Sequence, residues 1–141
     1  MSSGERQLVE SVAQESRSSG ELKRDQWDRL RSTFGERFDR AWRMVSEKRI
    51  KRYVFHPSGR IVWIAVGRDG EYQILPRSGY CDCEDFYFRI VNEGSGVCYH
   101  LIAQRLAEAL NSYEQVNEED EFFEPLMDEW RRQPLDADTE D

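Results

Sequence analysis

The sequence predicts an α+β fold on the basis of three observations. An apolar pattern with helical spacing runs from Asp25 to Val45, three β-rich segments follow it, and a second helical pattern runs from Cys98 to Tyr113. Apolar residues three and four positions apart share one face of a helix, whereas β-branched runs between glycines and prolines indicate strands. The expected architecture is an N-terminal amphipathic helix, a three-stranded antiparallel β-meander, a C-terminal helix and an acidic tail.

The N-terminal segment, residues 1–22, is rich in Ser, Gly, Glu and Gln and shows no apolar periodicity beyond Leu8 and Val12. Such a segment buries too little apolar surface to offset the entropy it loses on ordering, so we expect it to be disordered. The helix that follows contains Gly35, which predicts a bend or break there. Its apolar face is formed by Trp27, Leu30, Phe34, Phe38, Ala41, Trp42 and Val45.

The meander is predicted from three short segments, 52–56, 60–67 and 71–76, that are rich in β-branched and aromatic residues. Pro57-Ser58-Gly59 separates the first two, and Asp69-Gly70, a strong hairpin signal, separates the second and third. Residues 86–91 fit either a short strand or the start of a helix, and both interpretations stay open.

Composition limits the classes of protein to which the chain can belong. The 141 residues suit a single domain and include no apolar run long enough to span a membrane. The N-terminus lacks the basic-then-apolar pattern of a secretory signal, and three cysteines would leave one thiol over in a disulfide scheme. We therefore expect a cytoplasmic protein, in a compartment where clustered cysteines more often bind metal than pair with each other.

Charge is divided between the two halves of the chain. Lys23 to Arg60 carries twelve basic and five acidic residues, whereas Glu84 to Asp141 carries four basic and sixteen acidic ones. This division argues against a protein that coats nucleic acid with its whole surface, but it leaves room for a basic face in the first half. The alternative is that these basic residues form only the solvated polar face of an amphipathic helix. The candidate nucleic-acid contacts are Arg40, Arg43, Lys48, Arg49, Lys51 and Arg52.

All three cysteines and one of the two histidines lie close together in the sequence. Cys81 and Cys83 form a Cys-x-Cys pair, and Cys98 and His100 form a Cys-x-His pair after a spacer of fourteen residues. Structural zinc is held tetrahedrally by four thiolate or imidazole groups, often as two pairs from separate turns. A single cysteine is often just a small buried apolar residue, but that alternative does not account for the clustering. The spacing predicts one structural zinc ion bound by these four side chains.

This arrangement resembles the signature of the SWIM zinc-finger family over residues 78–110. Phe86 and Ala103 extend the resemblance and are expected to pack the finger. The form Cys-x-His-x-x-Ala is similar to that of the small Sws/Shu-type SWIM proteins that partner RecA/RadA-like recombinase paralogues. The resemblance implies a ββα finger and a role in homologous recombination and DNA repair. Many family members carry lysine where this chain has Tyr99, which weakens the expectation that the finger itself touches nucleic acid.

The sequence does not favour an enzyme. Four protein ligands leave a zinc ion no open position for water, and the sequence contains no recognisable nucleophile–base pairing or phosphate loop. We expect no small-molecule substrate and no membrane partner. Asp82, Glu84 and Asp85 crowd the motif. Asp85 is expected to cap the local turn or to accept backbone hydrogen bonds, and the other two are expected to be solvated.

The predicted organisation is a disordered segment 1–22, one domain at 23–113 and an acidic tail at 114–141 with a short helix at 121–132. The apolar residues of that helix either complete the chain's own core or anchor a partner, and the candidates for partner binding are Phe122, Phe123, Leu126 and Trp130. We expect a non-enzymatic interaction subunit that accompanies a RecA/RadA-like ATPase and is nucleoid- or nucleus-associated when bound to it. The alternative is a direct DNA-binding protein that uses the basic region.

Overall fold

The computed structural model describes residues 3–68, 70–83 and 97–131. Across these ranges, no helix combines the length and apolar character that a membrane span requires. The helices and strands, in chain order, are α1 (Ser3–Ser19), α2 (Arg24–Phe34), α3 (Glu36–Ser46), β1 (Ile50–His56), β2 (Arg60–Val66), β3 (Glu71–Leu75), β4 (Tyr80–Cys81), α4 (Tyr99–Leu110), β5 (Glu114–Glu119), a 3₁₀ turn (Asp120–Phe122) and α5 (Phe123–Arg131).

The strands form one mixed sheet in the order β4-β3-β2-β1-β5. The predicted meander is confirmed, since β1, β2 and β3 pair antiparallel in sequence order. Strand β4 adds two residues at one edge, where Cys81 pairs with Ile74. Asp69, in the predicted hairpin turn between β2 and β3, lies outside the described residues, as do residues 84–96 with the open choice at 86–91.

Strand β5 corrects the interpretation of residues 114–141 as a tail. It pairs parallel to β1 at the other edge, with Val116 opposite Tyr53. Its sequence, EQVNEE, has little β-propensity, and only its position beside β1 supplies backbone partners for it. The predicted domain therefore extends beyond Tyr113 to include this strand and α5.

The predicted N-terminal amphipathic helix is divided in two at Gly35. This glycine has φ 59° and ψ −127°, a conformation that side-chain-bearing residues rarely adopt, and its N–H donates to the carbonyl of Arg31 to end α2. Helix α3 begins at the next residue. The break allows Phe38 on α3 to reach back to Trp27 on α2, with ring centroids 4.8 Å apart.

The main core lies between one face of the sheet and helices α1 to α4. Helix α4 is at its centre, in contact with α1, α3 and four strands. Consequently it is buried on most of its circumference, and Ile102, Ala103 and Leu106 are fully inaccessible. The sheet contributes Trp63 and Ile74 from the strands of the meander.

A second core covers the opposite face of the sheet. Tyr53, Phe55 and Ile64 point to this side because side chains alternate along a strand, and α5 packs across them. Trp130 of α5 is 2% exposed and its ring lies edge-on to Tyr53 at 5.0 Å. The indole N–H also donates to the Glu71 carboxylate at 2.8 Å.

The expectation that residues 1–22 are disordered is wrong, because α1 packs on α4. Val9, Val12, Ala13 and Ser16 recur at helical spacing, and all four are buried. These side chains are small, so they give a weak apolar signal while allowing the two helices to approach closely. A salt bridge from Glu10 to Arg105 on α4, with N–O distances of 2.8 and 3.0 Å, fixes their relative position.

Candidate metal centre

The first ligand pair is placed by the edge of the sheet. Cys81 ends β4 opposite Ile74, and its side chain points into the main core. Cys83 lies two residues further on and is also buried, at 1% exposure. In extended backbone, residues two apart point to the same side, so both thiols face α4.

The second pair is placed by the start of α4. Cys98 is the N-cap, with the extended backbone angles usual at that position, and its carbonyl accepts from the N–H of Ile102. His100 lies in the first turn and is fully buried. The positive end of the helix dipole favours a thiolate at Cys98.

The four side chains converge on one point. One donor atom from each of Cys81, Cys83, Cys98 and His100 lies within 4.8 Å of every other. A tetrahedral zinc ion with Zn–S bonds of about 2.3 Å needs ligand atoms roughly 3.8 Å apart. The donor set and its spacing therefore fit zinc after small side-chain adjustments.

The electrostatics of the cluster also suit a cation. Burial, together with the neighbouring thiols of Cys83 and Cys98, raises the pKa of the Cys81 thiol well above its usual value. Without a cation, burial therefore disfavours the charged thiolate at Cys81. A divalent metal reverses this preference, because it deprotonates the thiols that coordinate it.

Asp82, between the first two cysteines, is tied to the sheet and not solvated as expected. Its carboxylate accepts from the N–H of Gln73 at 2.9 Å, and its own N–H donates to the Gln73 carbonyl at 3.2 Å. Burial raises the pKa of Asp82 to about 6. These two bonds continue the β3–β4 pairing past Cys81 and so hold Cys83 in place. Glu84 and Asp85 lie outside the described residues.

Arg6, in the first part of α1, contacts the turn that leads to Cys81. Its guanidinium donates to the carbonyls of Pro76, Arg77 and Ser78 at 3.2, 2.6 and 3.3 Å. The next residue, Gly79, has φ +73°, and a Cβ there would lie 2.8 Å from an Arg6 nitrogen. Sequence reasoning missed this contact, since no local pattern joins positions some seventy residues apart.

Arg37 makes a similar contact before the second ligand pair. It donates to the carbonyl of Val97 at 2.7 Å and to both carboxylate oxygens of Glu5 at 3.2 and 3.0 Å. Val97 directly precedes Cys98 and is itself buried. Helix α1 thus reaches both ligand pairs, once through Arg6 and once through Glu5 and Arg37.

Of the two residues expected to pack the finger, Ala103 is fully buried in the main core one turn after His100. Phe86 lies outside the described residues. Tyr99, between the last two ligands, is 4% exposed, and its ring centroid is 4.2 Å from that of His100.

The six candidate nucleic-acid contacts do not all present free charges. Arg43 and Lys48 are exposed, and the guanidinium of Arg40 lies over the Tyr99 ring at 5.6 Å. The other three have partners in the fold: Arg49 pairs with Glu47, Lys51 with Glu114, and Arg52 bonds to Gln115 and lies over the rings of Trp63 and Tyr113.

The aromatic residues near the C-terminus lie away from the candidate metal centre. Trp130, Phe123 and Leu126 belong to the second core, so the structure supports the first alternative for them, packing on the chain's own sheet. Phe122 differs, because it is 45% exposed.

The known proteins to which the chain is similar include a SWIM zinc-finger protein. Over 83 residues the chain is 30% identical to the Zinc finger SWIM domain-containing protein 7 homolog of Dictyostelium discoideum. This matched region covers 57% of this chain and 53% of that protein. The chain resembles a SWIM zinc-finger protein. It spans about half the length of that relative. The chain is also 27% identical over 110 residues to an uncharacterized protein of Archaeoglobus fulgidus. That matched region covers 78% of this chain and 86% of the archaeal protein. No protein-family model and no solved structure matches the chain.

Proposed function

We propose that Cys81, Cys83, Cys98 and His100 bind one structural zinc ion. The observation that carries this proposal is the convergence of four buried donor atoms from two separate segments within 4.8 Å. Bound zinc supplies a cross-link between the end of β4 and the start of α4. The protein's own part is to bring the ligands together and exclude water from them.

We further propose that the chain is a non-enzymatic interaction subunit that accompanies a RecA/RadA-like ATPase in homologous recombination. Support for the absence of catalysis is that four protein ligands complete a tetrahedral site and leave no position for water. Support for the partner is the resemblance of the motif around His100 and Ala103 to that of SWIM proteins with such partners. The similarity to the Dictyostelium protein supports the zinc-finger assignment.

The zinc site is tested by metal analysis of the purified protein. We expect one zinc per wild-type chain and less than about a tenth of that in Cys83→Ser, because three remaining ligands hold the ion far more weakly. Thr33→Ser is the control, since it changes an exposed side chain on α2 and removes no donor. Full zinc occupancy in Cys83→Ser would refute the ligand assignment.

The partner is tested by affinity capture from nuclease-treated host lysate, with wild type, Cys83→Ser and Thr33→Ser compared by mass spectrometry. We expect a RecA-like ATPase with wild type and Thr33→Ser but not with Cys83→Ser. Absence of any such ATPase from the wild-type capture would refute the recombination role. Retention of the purified wild-type chain on single-stranded DNA would instead favour the direct DNA-binding alternative.

A further inference from the structure

We infer that Arg6 is a positioning residue for the metal centre, and that docking of α1 and metal binding stabilise each other. This inference rests on the proposed zinc site. The inference goes beyond that site because α1 contributes none of the four ligands. Arg6 of α1 nevertheless binds the backbone before Cys81 directly, and Glu5 reaches the backbone before Cys98 through Arg37.

The first contact joins Arg6 to the turn before Cys81. A planar guanidinium can donate to several carbonyls at once, and here it donates to three consecutive ones, those of Pro76, Arg77 and Ser78. Gly79 completes the turn without a side chain where the guanidinium lies. Arg6 therefore fixes the direction in which the chain enters β4.

The second contact joins Glu5 to Arg37. The Glu5 carboxylate holds the Arg37 guanidinium by two bonds, and that guanidinium donates to the carbonyl of Val97. The Arg37 side chain is 17% exposed, which reduces the screening of the pair by solvent. The residue before Cys98 is thus held from the same end of α1.

These two contacts link α1 to the metal thermodynamically. A metal ion that fixes Cys81 and Cys98 also fixes the carbonyls before them, which are the acceptors for Arg6 and Arg37. Linkage is reciprocal, so a docked α1 must raise the affinity for the metal by the same factor by which the metal favours docking. A merely stabilising surface arginine would instead leave the metal affinity unchanged.

The first test is a zinc titration against a chromophoric chelator with full-length protein. We expect Arg6→Gln to bind one zinc with about tenfold lower affinity, the lower end of what outer-shell changes produce. Arg6→Lys should recover little of this, because an ammonium cannot supply the planar fork. Arg17→Gln is the control; it removes an exposed arginine from the same helix, and its affinity should stay within about twofold of wild type.

The second test is hydrogen exchange of residues 9–16 with zinc and with chelator. In wild type we expect removal of zinc to raise exchange of these amides about tenfold or more. In Arg6→Gln the same removal should change the exchange clearly less, because one of the two links between α1 and the metal is lost. If Arg6→Gln had both wild-type zinc affinity and wild-type exchange, the inference would be overturned while the proposed zinc site would stand. A wild-type chain that binds no zinc would overturn both the proposed function and the inference.

Discussion

At the scale of single residues, Asp82 shows how a ligand loop is held by the sheet beside it. It lies between two proposed ligands, and its two hydrogen bonds to Gln73 extend the β3–β4 pairing by one position. Burial raises its pKa to about 6, which is still below neutral pH, so the side chain accepts the N–H of Gln73 as a carboxylate. What the site needs from this side chain is its shape and one acceptor oxygen.

We therefore expect Asp82→Ala to lower the free energy of unfolding of the zinc-bound protein by about 1 kcal/mol, the usual net value of one hydrogen bond. Asp82→Asn keeps an oxygen in place and should lie within about 0.5 kcal/mol of wild type. Urea denaturation of the three proteins measures both values. Equal losses in the two variants would show that the charge, and not the acceptor, matters.

At the scale of elements, α1 and α5 are each docked by a few buried side chains. On α1 these are Val9, Val12 and Ala13, and on α5 the main one is Trp130. Each helix covers a different core, α1 the main core and α5 the second. Their contributions to stability can therefore be separated.

Val12→Asp should destabilise the protein by at least about 3 kcal/mol or release α1, because it places a carboxylate in an apolar contact without a partner. Gln14→Asp adds the same group on the exposed side of the helix and should change stability by less than about 0.5 kcal/mol. Urea denaturation combined with exchange of the α1 amides distinguishes the two. Similar stability in both variants would contradict the docked position of α1.

Trp130→Ala should lower the free energy of unfolding by about 3–5 kcal/mol, since it empties the centre of the second core and removes the bond to Glu71. Phe122→Ala, eight positions earlier and 45% exposed, should cost less than about 1 kcal/mol. Thermal and urea denaturation of both proteins give the comparison. A small effect of Trp130→Ala would mean that α5 does not pack on the sheet in solution.

At the scale of the whole molecule, the proposed zinc ion joins the sheet to the central helix. Helix α4 touches α1, α3 and four strands, so loosening its first turn affects most of the main core. Metal binding should therefore stabilise the entire chain, and not only the loop that carries the ligands.

Free zinc at a thousand times its dissociation constant should stabilise the protein by about 4 kcal/mol. For a chain of this size that corresponds to a rise in Tm of roughly 10–15 °C over the chelated protein. Calorimetry with and without chelator measures the shift, and Cys83→Ser should show none. A Tm that does not respond to zinc in wild type would show that the ion, if bound, does not hold the fold together.

The features that depend on local spacing can be predicted from the sequence alone. The meander follows from β-rich segments separated by turn residues, the break between α2 and α3 follows from Gly35, and the candidate metal ligands follow from two short pairs. In each case the residues that decide the structure are close in the chain, so their pattern is visible without knowledge of the fold.

The positions of α1, β5 and α5 depend instead on contacts between distant parts of the chain. Small side chains such as Ala13 give little apolar signal, and the acidic strand β5 forms because β1 offers it an edge. The contacts of Arg6 with Pro76 and of Arg37 with Val97 join positions 70 and 60 residues apart. Such contacts leave no periodic trace in a sequence, because their energy depends on which backbone carbonyls the fold brings within reach of a side chain.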